Sequence, residues 1–216
     1  MDQGAKNNMD QLEAVLLRSQ KLGFLGSMPV RVQIEHANGF GEVVERRLRG
    51  NPERMLDLGS GGGVPGLVLA HRWVQASVVL LDSNQRRVAF LESEIHRMEK
   101  AAQVTTCLIR AEAAGRDVSL RGSFPVVTSR SFGPPAVTAE CAAPLLELGG
   151  LLVTSEPPDS DTDSRWDRRG LEELGLAPLE LVRIGNRFTY HLVQKVSETD
   201  PRYPRRVGIP SKRPIF

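Results

Sequence analysis

The sequence predicts an α/β fold: a mostly parallel, doubly wound sheet ending in an antiparallel hairpin, with a helical appendage at its N-terminus. Three observations predict it. From Arg54 onward, short apolar runs alternate with stretches of helical spacing, as in strands joined by crossover helices. The first run ends in an acid and opens into Asp57-Leu58-Gly59-Ser60-Gly61-Gly62-Gly63-Val64-Pro65-Gly66, with five glycines in eight residues. Near the end, two strand-like runs are joined by Gly185-Asn186, a tight-turn pair.

The elements follow in order. Asp10 to Lys21 has helical spacing, with Leu12, Val15, Leu16 and Leu17 as an apolar stripe, broken by Gly23, Gly26 and Pro29. A second helix is predicted over Val32 to Leu48, before Gly50-Asn51-Pro52. Met55 to Leu58 reads as a buried strand, and Pro65 to Trp73 as a helix. Ser77 to Asp82 is the second strand, Asn84 to Lys100 a helix, Val104 to Ile109 the third strand and Pro125 to Ser129 the fourth. Ala136 to Leu148 is expected to be helical despite Pro144, with Gly149-Gly150 leading into a fifth strand over Leu151 to Thr154. Glu156 to Asp163 reads as a polar loop, Arg165 to Leu174 as a helix, and Leu179 to Ile184 and Arg187 to Val196 as the hairpin. This divides the chain into a helical appendage (1–50), an α/β domain (51–200) and a terminal tail (201–216).

The 216 residues suffice for one large domain or a domain plus an appendage, and 40% hydrophobic with 25% charged residues is ordinary for a globular protein. No apolar run approaches the ~20 residues of a membrane span, and the polar N-terminus lacks the apolar core of a signal peptide. Two cysteines, Cys107 and Cys141, form no disulfide framework, and the four histidines are scattered, so no metal site is expected. A cytoplasmic protein, with no membrane partner, is the expectation. The net charge of +2 hides an asymmetry: Pro201 to Phe216 holds five basic residues and no acid, leaving 23 basic against 26 acidic residues elsewhere. A basic end on a slightly acidic body points to a polyanion, or simply to a solvated terminus.

The glycine-rich turn carries the chemistry. Without Cβ atoms, a ligand can lie against the backbone, and the following helix offers free N–H groups. Gly61-x-Gly63-x-x-Gly66 formally matches the dinucleotide fingerprint, a weak signal alone. Asp57, two residues before the first glycine, argues against it: an acid there suits the amino group of a methionine moiety, directly or through water. Asp82, closing the second strand, is placed to accept ribose hydroxyls from any adenosine cofactor. Its alternative role is a helix cap, in competition with Ser83 and Asn84. Together these favour S-adenosylmethionine.

Leu56 to Glu112 resembles the bacterial small-subunit rRNA guanine-N7 methyltransferases, the GidB (RsmG) family. The resemblance rests on the glycine turn, on Leu81-Asp82-Ser83 with Arg86-Arg87-Val88-Ala89-Phe90-Leu91, and on Arg110-Ala111-Glu112. Thr128-Ser129-Arg130-Ser131-Phe132 and the terminal Tyr203-Pro204-Arg205-Arg206-Val207-Gly208-Ile209-Pro210-Ser211-Lys212-Arg213-Pro214 extend it. It implies a Rossmann-like class I methyltransferase fold and makes 51–200 an S-adenosylmethionine-binding domain. By resemblance, Gly59 and Val64 line the methionine side of the cofactor, with Ser60, Gly61 and Gly63 in the same turn. Ala111 and Glu112 border the adenine. Arg130 faces the cofactor's charged end and the incoming base, as the residue carried over for catalysis. The implied partner is small-subunit (16S) rRNA, naked or in an assembling small subunit, with Arg205, Arg206, Lys212 and Arg213 meeting phosphates and Tyr203 available for stacking.

This sequence departs from the family in places. Where members carry Lys-Gly after the fifth strand, it reads Thr154-Ser155-Glu156-Pro157-Pro158. His36 aligns with a family histidine, but its flanking pattern is lost, and Gly133-Pro134-Pro135 is unusual after Arg130. Guanine N7 has an in-plane lone pair, so methylation there needs alignment and no prior proton removal. Neither cysteine sits where a C5 nucleophile would, and no Asn/Asp-Pro-Pro-aromatic turn is present for amine methylation. The other readings are an S-adenosylmethionine-binding RNA or ribosome-assembly factor without methylation, a small-molecule methyltransferase and a dinucleotide oxidoreductase.

Overall fold

A computed structural model describes residues 3–157, 165–185 and 187–216, with side chains from Met9 onward. Two helices come first, α1 (Gln3–Lys21) and α2 (Val30–Leu48). Then follow β1 (Arg54–Leu58), α3 (Gly66–Arg72), β2 (Ser77–Asp82), α4 (Gln85–Arg97), β3 (Val104–Leu108), α5 (Ala111–Ala114), β4 (Phe124–Ser129) and α6 (Pro135–Ala142). The chain ends with β5 (Leu146–Glu156), α7 (Arg168–Glu173), β6 (Leu176–Ile184), β7 (Phe188–Lys195) and α8 (Ile209–Lys212). The seven strands form one sheet in the order β3-β2-β1-β4-β5-β7-β6, and β7 alone runs against its neighbours. The expected parallel sheet with a closing antiparallel hairpin is therefore present. Asn186 of the expected turn and residues 158–163 of the expected polar loop lie outside the described residues.

Side chains alternate across a strand, so each central strand feeds two cores. Met55, Val78, Leu80, Val126 and Val153 pack on one face with Leu12, Leu16, Phe40 and Leu91 from the helices. Leu56, Leu58, Val79, Leu81, Val127 and Leu152 pack on the other with Cys141, Trp166, Leu171 and Tyr203. The first core joins α1 and α2 to the sheet without a break, so the N-terminal helices share the sheet's core.

Several predicted boundaries move: α1 starts at Gln3 instead of Asp10, α4 ends at Arg97 instead of Lys100, β6 starts at Leu176 instead of Leu179, and the short helices α5 and α8 were not expected. The helix expected to reach Leu148 ends at Ala142, and β5 starts at Leu146. Pro144 lacks the N–H a continuing helix needs. Phe124 pairs with Leu146 but Val126 pairs with Leu151, so residues 147–150 bulge out of the ladder. Gly149, at φ +86, makes the bend.

The terminal segment is also docked. Glu140 of α6 is fully buried and accepts Arg205's backbone N–H at 2.8 Å, its Nε at 2.9 Å and its Nη2 at 2.6 Å. Tyr203 is buried and its hydroxyl donates to Glu173 at 2.5 Å. The reading of Arg205 as a phosphate contact is corrected: its guanidinium neutralises a buried carboxylate. Tyr203 likewise packs on its own domain and offers no stacking face.

Removing one partner of such a pair strands a charge inside the protein. Arg205→Ala is expected to cost roughly 3 kcal/mol of unfolding free energy, whereas exposed Arg206→Ala should stay within about 0.5 kcal/mol of the parent chain. Urea unfolding of the two variants checks this, and equal midpoints would refute the anchor.

Candidate functional site

Three clefts lie side by side at the carboxyl ends of the parallel strands, the usual ligand edge of such sheets. The first, about 360 Å³, lies beyond β2 and is bordered by Asp82, Ala111, Glu112, Val137 and Cys141. The second, about 330 Å³, runs between the glycine turn and Phe24-Leu25-Gly26, with Ser60, Gly61, Val64 and Arg130 in its walls. The third, about 460 Å³, is walled by Arg130, His36, Thr154, Glu156, Trp166 and Phe188. Gly59 borders the first two clefts and Ser131 borders all three.

The glycine turn is held from beneath. Asp57 is buried, and its Oδ1 accepts the Thr128 hydroxyl at 3.0 Å while its Oδ2 accepts the Gly66 N–H at 3.0 Å. Ser60 Oγ donates to the Asp57 carbonyl at 2.9 Å. A Cβ on Gly66 would stand 2.6 Å from Asp57 Oδ2, so this glycine is required by the carboxylate packed against it. Asp57 borders none of the three clefts, and its geometry makes it a positioning residue for the turn. Gly63 also faces inward, against Leu67.

The upper part of the turn faces the clefts. Gly59 and Ser60 both donate to the Leu81 carbonyl at 2.9 Å, and the Gly61 N–H donates to Asp82 Oδ2 at 2.9 Å. Gly59, at φ +74, has no room for a side chain, because a Cβ would reach 2.6 Å from the Phe132 ring. Asp82 Oδ1 accepts the Asn84 N–H at 2.8 Å, and Arg87 stands 3.6 Å from Oδ2. Asn84 caps α4 by accepting from the N–H groups of Arg86 and Arg87, so Asp82 is not spent as the cap. A carboxylate oxygen accepts two bonds, so Asp82 keeps acceptor capacity toward the first cleft.

Arg130 follows β4 and stands between the second and third clefts, with Nη1 donating to Gln33 Oε1 at 3.2 Å. Burial lowers its pKa, while the nearby Asp57 raises it. Gln33 is fully buried and donates to the carbonyls of Gly26 and Met28, both at 2.9 Å. It therefore fixes the α1–α2 connection and the guanidinium together. The next residue, Ser131, has φ +55, a left-handed conformation that costs a non-glycine residue free energy and gathers at functional sites.

His36 stacks near Phe188 and Tyr190, with ring centroids at 4.8 and 5.6 Å. Burial, and then the charge of Arg130, push it down to about 4, so the ring is neutral at pH 7. Glu156 accepts Trp166 Nε1 at 3.0 Å and pairs with Arg165 in the third cleft. Burial raises both cysteine pKa values, keeping the groups as thiols. Among the described residues no cluster of three metal-ligating side chains occurs, and no helix is long and apolar enough to cross a membrane.

Gly59, Ser60, Gly61, Val64, Asp82, Ala111, Glu112 and Arg130 thus converge on the clefts, whereas Asp57 and Gly63 support them. Arg206, Lys212 and Arg213 are exposed outside the first cleft, and Ser211 beside them borders it. Gln33, Ser131 and the α1–α2 wall were not legible in the sequence. Their roles come from contacts between distant segments.

A family model described as rRNA small subunit methyltransferase G matches residues 41–175. A Clostridium beijerinckii protein named ribosomal RNA small subunit methyltransferase G is 34% identical over 166 residues, covering 74% of this chain and 69% of its own. A Thermotoga maritima protein of the same name is 36% identical, covering 75% and 68%. Among solved structures, a SAM-dependent O-methyltransferase from Thermotoga maritima superposes with a TM-score of 0.52 at 15% identity, covering 74% of this chain and 65% of that one. That likeness shows the fold.

Asp57 and His36 predict a pH signature. Burial pushes Asp57 up to about 6 from 3.8. Between those values the folded protein holds a proton that the unfolded chain releases, so this group's contribution is present at low pH and fades as pH rises through 6. His36 does the reverse, gaining stability as pH rises from about 4 through 6.5. Asp57→Asn removes the opposing slope. The melting temperature of that variant is expected to climb more steeply from pH 4 to 6.5 than that of the parent chain. Parallel curves would mean that Asp57 is ionised in the fold throughout.

Proposed function

The chain belongs to the rRNA small subunit methyltransferase G family, and from that premise we propose that it methylates N7 of a guanine in small-subunit (16S) rRNA with S-adenosylmethionine. The observation that carries this reading is the continuity of the three clefts through Gly59, Ser131 and Arg130. An elongated cofactor fits the first two clefts and a base fits the third.

The residues present suit that cofactor. Asp82 accepts the ribose hydroxyls with the capacity left after Gly61 and Asn84. Ala111 and Glu112 border the adenine. Gly59, Ser60, Gly61 and Val64 line the methionine end, where any side chain on Gly59 would displace Phe132. When bound, the cofactor supplies an electrophilic methyl group on a sulfonium. Guanine N7 brings its own lone pair, so the protein needs no general base, and His36, pushed down to about 4 by burial and by Arg130, is a weak one. Arg130, held by Gln33, orients the base and the cofactor's carboxylate at the boundary between clefts. The work of the site is alignment and exclusion of water.

Exposed Arg206, Lys212 and Arg213 contact phosphates of naked rRNA or of an assembling small subunit, and the reaction is placed in the cytoplasm. A second reading is favoured by Glu156, an acid in the third cleft where family members resembling this chain carry Lys-Gly: a cofactor-binding assembly factor that no longer methylates. Arg165, paired with Glu156 in the same cleft, returns a positive charge there and favours the active enzyme.

Deleting the gene should remove one 7-methylguanosine from small-subunit rRNA, and restoring the gene should return it. Unchanged rRNA would favour the assembly-factor reading. Asp82→Ala should weaken S-adenosylmethionine by about 1–3 kcal/mol, the scale of lost buried hydrogen bonds. Titration calorimetry reads this directly, and an unchanged affinity would reject the ribose role.

A further inference from the structure

The terminal segment has two faces. Arg205 pins its start to buried Glu140, and Arg205 Nη2 also donates to the Arg213 carbonyl at 2.7 Å. The segment between them is thereby closed into a loop by one guanidinium. Inside the loop, the Gly208 N–H donates to Glu112 Oε1 at 2.9 Å. Glu112 is buried, pairs with Arg110, and borders the first cleft. Ser211 borders the same cleft as Asp82 and Glu112. Its neighbours Lys212 and Arg213 are exposed, as is Arg206, and no ion pair holds any of the three among the described residues. One short loop therefore touches the cofactor cleft with its inner side and offers cations on its outer side.

We propose that residues 205–213 form a strap that closes the first cleft over adenosine and binds RNA phosphates, so that RNA and cofactor tighten each other's binding. The inference rests on the reading of that cleft as the adenosine site. Ser211 is the new cofactor-binding residue, and Gly208 positions the wall through Glu112. A polyanion that holds Lys212 and Arg213 also holds Ser211, since adjacent residues are separated by a single peptide unit. Binding couplings are reciprocal, so a cofactor that orders the strap must strengthen RNA binding by the same factor.

The test uses the full chain, S-adenosylhomocysteine as a non-reacting probe, and a transcript of small-subunit rRNA. Calorimetry should show the probe binding at least about fivefold more tightly with saturating RNA, the lower end of ordinary coupling. Ser211→Tyr, at an exposed position, should keep the parent melting temperature but lose about tenfold in probe affinity. Arg206→Ala/Lys212→Ala/Arg213→Ala should keep the RNA-free probe affinity and lose the RNA enhancement. Equal probe affinity with and without RNA would overturn the coupling. Unchanged affinity in Ser211→Tyr would overturn the wall. A parent chain that binds no probe at all would instead remove the cofactor reading beneath both.

Discussion

A buried carboxylate organises the ligand edge of this sheet. Asp57 joins three elements at once: its own strand β1, the hydroxyl of Thr128 on β4, and the first N–H of α3 at Gly66. Each bond is modest in net terms, but breaking any of them would strand a polar group away from water. The glycine turn is thus clamped at both ends before any ligand arrives. Its upper residues can then spend their N–H groups on Leu81 and Asp82, which fixes the side chain offered to the first cleft. Burial holds the Asp57 proton more tightly than usual. The nearby Arg130 opposes that shift, so the clamp and the boundary between clefts are electrostatically linked.

That link makes the N-terminal helices part of the site. Arg130 is half-buried and would pay for desolvation without a partner. Gln33 of α2 supplies the acceptor, and its amide holds the Gly26 and Met28 carbonyls. Ser19 of α1 reaches the Gly62 carbonyl at 2.9 Å. The helices therefore touch the glycine turn and the arginine together, and their core is shared with the sheet. α1 thus braces the glycine turn through Ser19, while α2 holds Arg130 through Gln33.

Much of this was legible in the chain because it depends on local pattern. Every strand was found from its apolar run, and Asp82 and the glycine turn were placed by their positions at strand ends. The misses share one cause. Pro144 to Leu148 was read by helix spacing, but β4 pairing drew Leu146 into the sheet. Arg205 was counted as a free cation because its partner, Glu140, lies 65 residues away in sequence. Asp57 was read as receiving a ligand's amino group, directly or through water, whereas both its carboxylate oxygens accept from the protein, at Thr128 on β4 and at Gly66. Ser131 shows no local signal for its left-handed backbone. Long-range partners decide such roles, and composition does not reveal them.

The third cleft shows how a buried acid can sit in a cavity without making it negative. Glu156 alone would repel an RNA phosphate at the place where its side chain lies. It is not alone: Arg165 pairs with it, Trp166 donates to it, and Thr154 stands 3.4 Å away. The carboxylate's capacity is turned into the wall, and part of the guanidinium remains exposed. Arg130 and Arg187 border the same cleft. Arg165 is paired with Glu156 and Arg187 with Glu35, so Arg130 is the guanidinium that leaves the cavity net positive. A cleft of that sign, beside a neutral histidine and the Phe188 ring, has the charge and the aromatic surface that the proposed base-binding role requires. The acid at position 156 is then a scaffold that holds Arg165 in the wall of the cavity.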